Sequence, residues 1–355
     1  MNQNPLFSMA KSVLETAMNN DIGKISRRCF FSRCGSALLA PALLSTPSIL
    51  QAASGSGIPA GTRLRIAQYK GGDRLLLAAA GLADTPYTID WAEFASGNLM
   101  VEAMNGGSLD LAYGSEIPPL FGHLAGANIR VVAVIKGDVN EQTVLVPKDS
   151  AIRSIADLKG KRVGYVRATT THYYLTKMLA EVGLGFADIQ AINLTVPDGA
   201  AAFRTGQLDA WAIYGYSVPL AQTSVGARVL KRANGYLSGN YLYFSPPEAI
   251  ADPARNAALA DVFLRLQKAF AWRQANPERY AEAIAPEIGV PVEAVLTLLK
   301  NESQPRRLAA VDEAAIRSQQ DVADTFLKSG VINRQVDLRP LWDRSFEPVL
   351  NGRAG

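Results

Sequence analysis

Short segments of alternating apolar and polar residues recur along the chain from residue 63 onward, and segments with helical spacing follow them. Arg63–Gln68 (RLRIAQ) alternates like a strand, and GGDRLLLAAAGLA at 71–83 has helical spacing after a glycine pair. Further strands are predicted at 87–94, 109–113 and 129–135, and helices at 98–105 and 118–125. This alternation favours a largely parallel sheet with helices on both faces.

A second block with the same rhythm begins at residue 142. Its predicted elements are a strand at 142–146, a helix start at 154–158, a strand at 162–166 and a helix over ATTTHYYL at 168–175. From about Ser245 the pattern is helical, with one apolar stripe formed by Leu259, Val262, Phe263, Leu266 and Phe270. Asn276-Pro277-Glu278 is predicted to begin another helix, because proline is favoured in the first turn. We interpret the apolar stripes as core packing.

The first fifty residues differ from this pattern, because a basic cluster precedes a short apolar run. SRRCFFSR at 26–33 is followed by GSALLAPALL at 35–44, which is shorter than the ~20 residues of a membrane-spanning helix. This order is typical of a signal peptide. Arg27 and Arg28 resemble the twin-arginine export pattern, which makes the twin-arginine translocase the expected export partner. The alternative, a basic amphipathic helix of the fold, is disfavoured by the Pro, Ser and Gly residues that follow.

The predicted signal spans residues 1–53, with cleavage expected near Ala52 or Ala53 and a periplasmic location for the mature protein. Met18 would begin a signal of ordinary length, so a start at either Met1 or Met18 is compatible with the pattern. Retention of the signal as a membrane anchor is a further alternative.

Cysteine content and net charge limit the kinds of site and partner that the mature chain can have. Both cysteines, Cys29 and Cys34, lie within the signal, which excludes disulfides, thiolate metal sites and cysteine nucleophiles after cleavage. Removal of residues 1–52 takes away five basic and two acidic residues, so the formal charge falls from +4 to +1. A nearly neutral chain argues against nucleic acid or an anionic membrane as the main partner. The 355 residues, 48% of them hydrophobic, suffice for about two domains.

A run of three threonines, Thr169 to Thr171, follows the predicted strand at 162–166 and precedes His172. Hydroxyls and free N–H groups at a helix N-terminus offer donors to an anion, which is the interpretation we favour. Ordinary N-capping by one threonine and a catalytic or metal-binding His172 are the alternatives. His123 is the only other histidine, and no spacing typical of a metal site occurs, so neither a metal nor a cofactor is predicted.

Four longer segments share an order and spacing: RIAQYKGGDRLLL at 65–77, FASGNLMVEAMNGGSLDLAYGSEIPPLFGHLAGA at 94–127, VPKDSAIRSIADLKGKRVGYVRATTTHYYL at 146–175 and AAFRTGQLDAWAIY at 201–214. Together they resemble the substrate-binding proteins of ABC importers for aliphatic sulfonates, taurine and nitrate. The resemblance implies an α/β fold of the type II periplasmic binding protein, whose two lobes close on a ligand. The implied boundaries are lobe 1 at 61–140 and 241–345, lobe 2 at 141–240, and crossings near 138–142 and 236–243.

In such a fold, ligands bind in the crevice between the lobes, at the carboxyl ends of the strands. The resemblance therefore implies the following ligand-binding residues: Gln68, Tyr69, Lys70, Gly72, Ser115, Glu116, Arg167, Thr169, Thr170, Thr171, His172, Trp211, Tyr214 and Tyr216. Three of the loops depart from the family pattern. Gln-Tyr-Lys at 68–70, Gly-Ser-Glu at 114–116 and Tyr-Gly-Tyr at 214–216 replace the common Tyr-Gln-Lys, Thr-Gly-Asp and Trp-Asp-Pro. The scaffold is retained, and the pocket is altered.

We therefore expect an exported, enzymatically inert monomer that delivers a small organic anion, such as an aliphatic sulfonate or taurine, to ABC permease subunits. Its anionic end would lie at the threonines, and its body at Trp211, Tyr214 and Tyr216, unless these aromatic residues form lobe core. Glu116 would repel an anion, so either the ligand also carries an amine or hydroxyl, or Glu116 turns away to order its loop. Alternative functions are ligand sensing for a membrane receptor, and catalysis like that of the desulfinases, which needs the cysteine absent from the mature chain.

Overall fold

The computed structural model of the protein describes residues 57–352. The predicted signal at 1–53 and its arginine pair lie outside these residues. Within the described range, every helix is too short or too polar to cross a membrane.

Eleven strands occur in the described part of the chain. They are β1 (Arg63–Gln68), β2 (Thr88–Glu93), β3 (Ala112–Ser115), β4 (Arg130–Lys136), β5 (Gln142–Val146), β6 (Arg162–Tyr165), β7 (Gln190–Asn193), β8 (Ala210–Tyr214), β9 (Arg228–Arg232), β10 (Tyr241–Ser245) and β11 (Arg307–Ala309). The α-helices are α1 (Asp73–Ala79), α2 (Gly97–Asn105), α3 (Ile117–Leu124), α4 (Thr170–Glu181), α5 (Val196–Arg204), α6 (Ser217–Val225), α7 (Pro247–Ala251), α8 (Pro253–Ala275), α9 (Pro277–Ile288), α10 (Val292–Asn301), α11 (Glu313–Lys328) and α12 (Glu347–Leu350).

The strands form three sheets. β1 pairs with β2, a four-stranded sheet has the order β11-β4-β10-β3, and a five-stranded sheet has the order β7-β6-β8-β5-β9. We call residues 57–136 and 241–352 lobe 1 and residues 142–232 lobe 2, since the first two sheets belong to the former and the third to the latter. The α/β fold with helices flanking the sheets agrees with the prediction.

The direction of the strands corrects the prediction of largely parallel sheets. Parallel pairing joins β1 to β2 and β6 to both β7 and β8, whereas the other strand pairs are antiparallel. The reason is the path of the chain. β5 and β10 enter their sheets directly from the other lobe, so they start at the edge where neighbouring strands end, as the pairing of Gln142 with Tyr214 illustrates.

The chain passes between the lobes at 137–141 and again at 233–240. The two crossings touch at Gly137 and Gly239, and a Cβ at Gly239 would collide with the carbonyl oxygen of Gly137. Gly239 also has φ +78°, a conformation that disfavours other residues. Glycine is therefore required where the crossings meet.

Two predicted elements shift. The strand predicted at 109–113 lies at Ala112–Ser115, and the helix predicted to start at 154–158 is only a 3₁₀ turn at Ala156–Leu158. Conversely, the stripe from Leu259 to Phe270 is confirmed, because all five of its residues are buried on α8.

The same polar clasp, an arginine bound to an aspartate, occurs in both lobes. The Arg65 guanidinium at the start of β1 donates to the Asp110 carboxylate, with Nη2 to Oδ1 at 2.8 Å, and its own backbone N–H donates to Oδ2 at 2.8 Å. Arg162 at the start of β6 binds Asp209 with the same two bonds, both at 2.8 Å. The clasps anchor β1 to the chain segment that leads into β3 and β6 to the segment that leads into β8, so the two lobes share this local architecture.

Candidate functional site

A cavity of about 530 Å³ is lined by residues of both lobes. Lobe 1 contributes the turns before α1 and α2 together with faces of α8, α9 and α10, and lobe 2 contributes the turns before α4 and α6. The cavity therefore lies where the strand ends of the two lobes meet, as the fold class predicts. Its volume is in the range of pockets for small organic ligands.

Eight of the predicted ligand-binding residues line this cavity. They are Tyr69, Lys70, Gly72, Ser115, Thr169, Thr170, Tyr214 and Tyr216. The other six do not line it, and each has a structural reason. These six are Gln68, Glu116, Arg167, Thr171, His172 and Trp211.

Gln68 and Glu116 are buried in lobe 1 and serve the backbone around them. The Oε1 atom of Gln68 accepts from the backbone N–H of Arg74 at 2.9 Å. Glu116 turns away from the cavity and accepts from Ser238 Oγ at 2.9 Å and Asn240 Nδ2 at 3.0 Å. Of the two possibilities considered for Glu116, the structure has the one in which its carboxylate orders a loop, here the second crossing.

Trp211 is lobe core. Only 1% of it is exposed, its ring lies 5.7 Å from that of Phe203, and it packs directly against Gly199. Both faces of β8 are buried, so the alternation of the strand does not reveal that Trp211 points away from the cavity and Tyr214 toward it. Arg167 is solvent-exposed beside the cavity residue Ala168.

The start of helix α4 has an unusual arrangement of donors. Thr169 is the N-cap residue, but its side chain does not cap the helix and instead donates to the carbonyl of Val166 at 2.8 Å. Thr171 is fully buried, and its hydroxyl accepts from the backbone N–H of Val166 at 2.9 Å and donates to the Val166 carbonyl at 3.0 Å. In the described part of the chain, the backbone N–H groups of Thr169 and Thr170 have no hydrogen-bond partner. The alternative interpretation, ordinary capping by a threonine side chain, is therefore absent at Thr169, and two N–H donors remain at the cavity wall.

His172 is buried rather than exposed to the cavity. Its ring packs against the rings of Tyr165, Phe186 and Phe326, with centroids 5.2, 5.1 and 5.3 Å away respectively. Burial lowers the pKa of His172 to about 4, with the Arg167 charge acting in the same direction. No group of three His, Cys, Asp or Glu side chains in residues 57–352 is arranged to hold a metal ion.

A cluster of four charged residues in the cavity wall was not predicted. Arg273 binds Glu302 through both of its terminal nitrogens, and Arg306 lies 2.6 Å from Glu141 and 3.7 Å from Glu302. Each guanidinium faces a carboxylate, so the cluster adds little net charge. The four residues come from α8, the end of α10, the loop before β11 and the first crossing, so no local motif could reveal them.

Tyrosines and one carboxyl group complete the polar lining. The tyrosines are Tyr69, Tyr113, Tyr214, Tyr216, Tyr241 and Tyr280. Burial raises the pKa of Tyr214 to about 12, so its hydroxyl stays neutral at ordinary pH. Asp73, in the first turn of α1, accepts a hydrogen bond from Tyr243 Oη at 2.6 Å, and burial raises its pKa to about 7.

The family described as "NMT1/THI5 like" matches residues 89–279 of this chain. The chain belongs to the NMT1/THI5-like family. Over 298 residues it is 33% identical to the putative aliphatic sulfonates-binding protein of Escherichia coli K12, covering 82% of this chain and 91% of that protein. The resemblance predicted from the four sequence segments is thus confirmed.

Solved structures support the same fold within this family. The alkanesulfonate-binding protein SsuA from Xanthomonas axonopodis pv. citri, bound to MOPS, superimposes with a TM-score of 0.72 at 29% identity, covering 81% of this chain and 99% of that one. The desulfurization enzyme DszB matches with a TM-score of 0.57 at 16% identity, covering 82% and 99% of the two chains, which is a likeness of fold alone. The two-lobe chain is therefore a substrate-binding protein of the periplasmic type.

Proposed function

We propose that this protein is the solute-binding component of an ABC importer and that it captures an organosulfonate in the cavity between its lobes. The proposal includes delivery to permease subunits in the inner membrane by a monomer in the periplasm. It also includes export through the twin-arginine translocase on the signal at 1–53.

The observation that carries the proposal is the uncapped start of α4 in the cavity wall. The N–H groups of Thr169 and Thr170 are free, and the dipole of a twelve-residue helix adds partial positive charge at this end. Such a site stabilises an anion without a basic side chain. A sulfonate suits it, because a sulfonate is ionised at every physiological pH and needs only donors.

The rest of the cavity favours an organic body over a small inorganic anion. Six tyrosines line it together with apolar residues from the C-terminal helices, among them Phe270, Ile288 and Leu298. Aromatic and aliphatic faces contribute to binding by burying apolar area, which nitrate or sulfate lacks. The two relatives reported above are named for aliphatic sulfonates and alkanesulfonates, which supports the same class of ligand here.

Binding without catalysis is the function that we favour on this scaffold. DszB shares the fold, but cysteine is absent from residues 54–355, so a cysteine nucleophile is not available to the mature chain. His172, which follows the threonine run in the sequence, is buried and already accepts a backbone hydrogen bond, which leaves it poorly placed as a general base.

Calorimetric titration with 1-pentanesulfonate tests the proposal. We expect Thr170→Val to weaken binding about tenfold, because a methyl group replaces a donor to a charged oxygen at nearly constant shape. The matched control, Thr205→Val, removes an exposed hydroxyl of the same lobe outside the cavity and should leave the affinity unchanged. If 1-pentanol binds and 1-pentanesulfonate does not, the anion assignment is wrong. If Thr170→Val and Thr205→Val behave alike, the Thr170 hydroxyl takes no part in binding the anion.

A further inference from the structure

Ala168 has an unusual backbone conformation at the edge of the anion site. It is the only non-glycine residue with positive φ in residues 57–352, at +56°. Left-handed backbone is unfavourable for an L-residue with a Cβ, and such strain persists only where the surrounding structure holds it. Ala168 lines the cavity and directly precedes Thr169, so the turn it makes sets the direction of the free N–H groups.

Side chains accept hydrogen bonds from the backbone N–H groups of Arg167 and Ala168, which lie before Thr169 in this turn. The N–H of Arg167 donates to Asn193 Oδ1 at 2.8 Å, and the N–H of Ala168 donates to His172 Nδ1 at 3.4 Å. The next two N–H groups along the chain, those of Thr169 and Thr170, have no hydrogen-bond partner, and both residues line the cavity. A side chain thus determines where the backbone donors point.

The imidazole of His172 is itself fixed from several sides. Tyr165 of β6, Phe186 of a 3₁₀ turn and Phe326 of α11 surround the ring, and only 5% of His172 is exposed. An imidazole nitrogen accepts a hydrogen bond only when it carries no proton, so Nδ1 must be bare and the ring neutral, with its proton on Nε2. Burial among aromatic rings favours this neutral form.

We propose that His172 is a positioning residue of the anion site, which holds Ala168 in its left-handed turn and so directs the N–H groups of Thr169 and Thr170 into the cavity. The role of those two N–H groups rests on the proposed function. The hold that His172 has on Ala168 does not.

Nitrogen NMR of the purified protein tests this hold without any ligand. We expect His172 at pH 7 to show a bare Nδ1 and a protonated Nε2, whereas a protonated Nδ1 would overturn the proposal. His123 lies half-buried on α3 and is the only other histidine, so single His123→Gln and His172→Asn variants assign the signals.

Binding of 1-pentanesulfonate then tests the consequence. His172→Leu removes the acceptor and should weaken binding at least tenfold, whereas His172→Asn offers an amide oxygen near the former Nδ1 and should stay within threefold of the original affinity. His123→Leu is the matched control and should change nothing. Equal losses in His172→Leu and His172→Asn would contradict the positioning role.

A double variant separates positioning from general damage to the core. Glycine adopts the left-handed turn without being held. Ala168→Gly added to His172→Leu should therefore recover at least threefold of the lost affinity, which repair of packing alone would not explain; no recovery counts against the proposal. If the unmodified protein does not bind 1-pentanesulfonate, the proposed function fails, and the nitrogen tautomer of His172 still decides the inference. The tautomer also decides it if the leucine variant does not fold.

Discussion

The two lobes repeat one turn and give it opposite chemistry. In each lobe a strand ends, the third residue beyond it has positive φ, the next is the N-cap, and the one after begins a helix. The corresponding residues are Gly71, Gly72 and Asp73 in lobe 1 and Ala168, Thr169 and Thr170 in lobe 2. The backbone supplies the same helix start in both lobes, and the side chains around it determine whether an anion can bind there.

In lobe 1 the turn is closed to an anion. Its helix α1 has only seven residues, Ile288 covers Gly71, and Asp73 places a buried carboxyl group at the first helical position. In lobe 2 the helix has twelve residues, and Thr170 occupies that first position. Gly72, one of the predicted ligand-binding residues, lines the cavity at this turn.

Thr170→Asp removes the difference between the lobes, because it gives the first position of α4 the residue that Asp73 provides in α1. A carboxylate at the free N–H groups would occupy their donors and repel a sulfonate in a site of low dielectric. We expect the affinity for 1-pentanesulfonate to fall at least about a thousandfold, or about 4 kcal/mol. Thr205→Asp, exposed in the same lobe, should change the affinity by less than a factor of two in the same calorimetric titration.

Asp73→Asn tests the burial of the carboxyl group in lobe 1 through the pH dependence of stability. Because burial raises the pKa of Asp73 from 3.8 to about 7, the folded protein keeps a proton that the unfolded chain releases, so this group's contribution to stability falls as pH rises from about 4 to about 7. Asparagine cannot ionise, and its amide oxygen can still accept from Tyr243.

The variant should therefore match the original protein in stability near pH 4 and exceed it at pH 8, by up to about 4 kcal/mol, because the pKa of Asp73 rises from 3.8 to about 7 on folding. Urea unfolding at both pH values measures the difference. Asp90→Asn on β2, at a half-exposed site, should alter stability by less than about 0.5 kcal/mol. An equal effect of Asp73→Asn at pH 4 and pH 8 would show that folding does not raise the pKa of Asp73.

Gly71→Ala and Ala168→Gly exchange the residues of the two left-handed turns. Gly71 has φ +77°, and an added Cβ would collide with Ile288, so Gly71→Ala should cost about 2 kcal/mol in urea unfolding. Ala168→Gly relieves strain but gives the unfolded chain more freedom, and the two effects should leave a net gain of about 0.5 kcal/mol. Equal and opposite effects would mean that the turns differ only in strain and not in their surroundings.

Local pattern was enough to predict the strands from β1 to β6, with β3 displaced by a few residues, the buried stripe of α8 and the threonine run at a helix start. These features depend on periodicity and on residues close in sequence. The antiparallel entry of β5 and β10 could not be read this way, because it follows from the crossings and not from the strands themselves. The charged cluster of Glu141, Arg273, Glu302 and Arg306 was missed for a related reason, since tertiary folding joins four separate segments.

The direction of individual side chains could not be predicted where both sides of a strand or helix are buried. Trp211 lies on a strand without a polar face, and Thr171 and His172 lie on a helix whose first turn is covered almost all round. His172 was predicted as a ligand-binding residue, but its hydrogen bond from the Ala168 N–H depends on the left-handed turn at Ala168, which sequence alone does not reveal for an alanine.

A crystal structure of the protein with 1-pentanesulfonate tests the anion site of lobe 2 most directly. We expect sulfonate oxygens within about 2.7–3.2 Å of the backbone nitrogens of Thr169 and Thr170, with the alkyl chain among the tyrosines. A sulfonate bound instead at Arg273 or Arg306, or beside Asp73 in lobe 1, would contradict the assignment of the anion to helix α4.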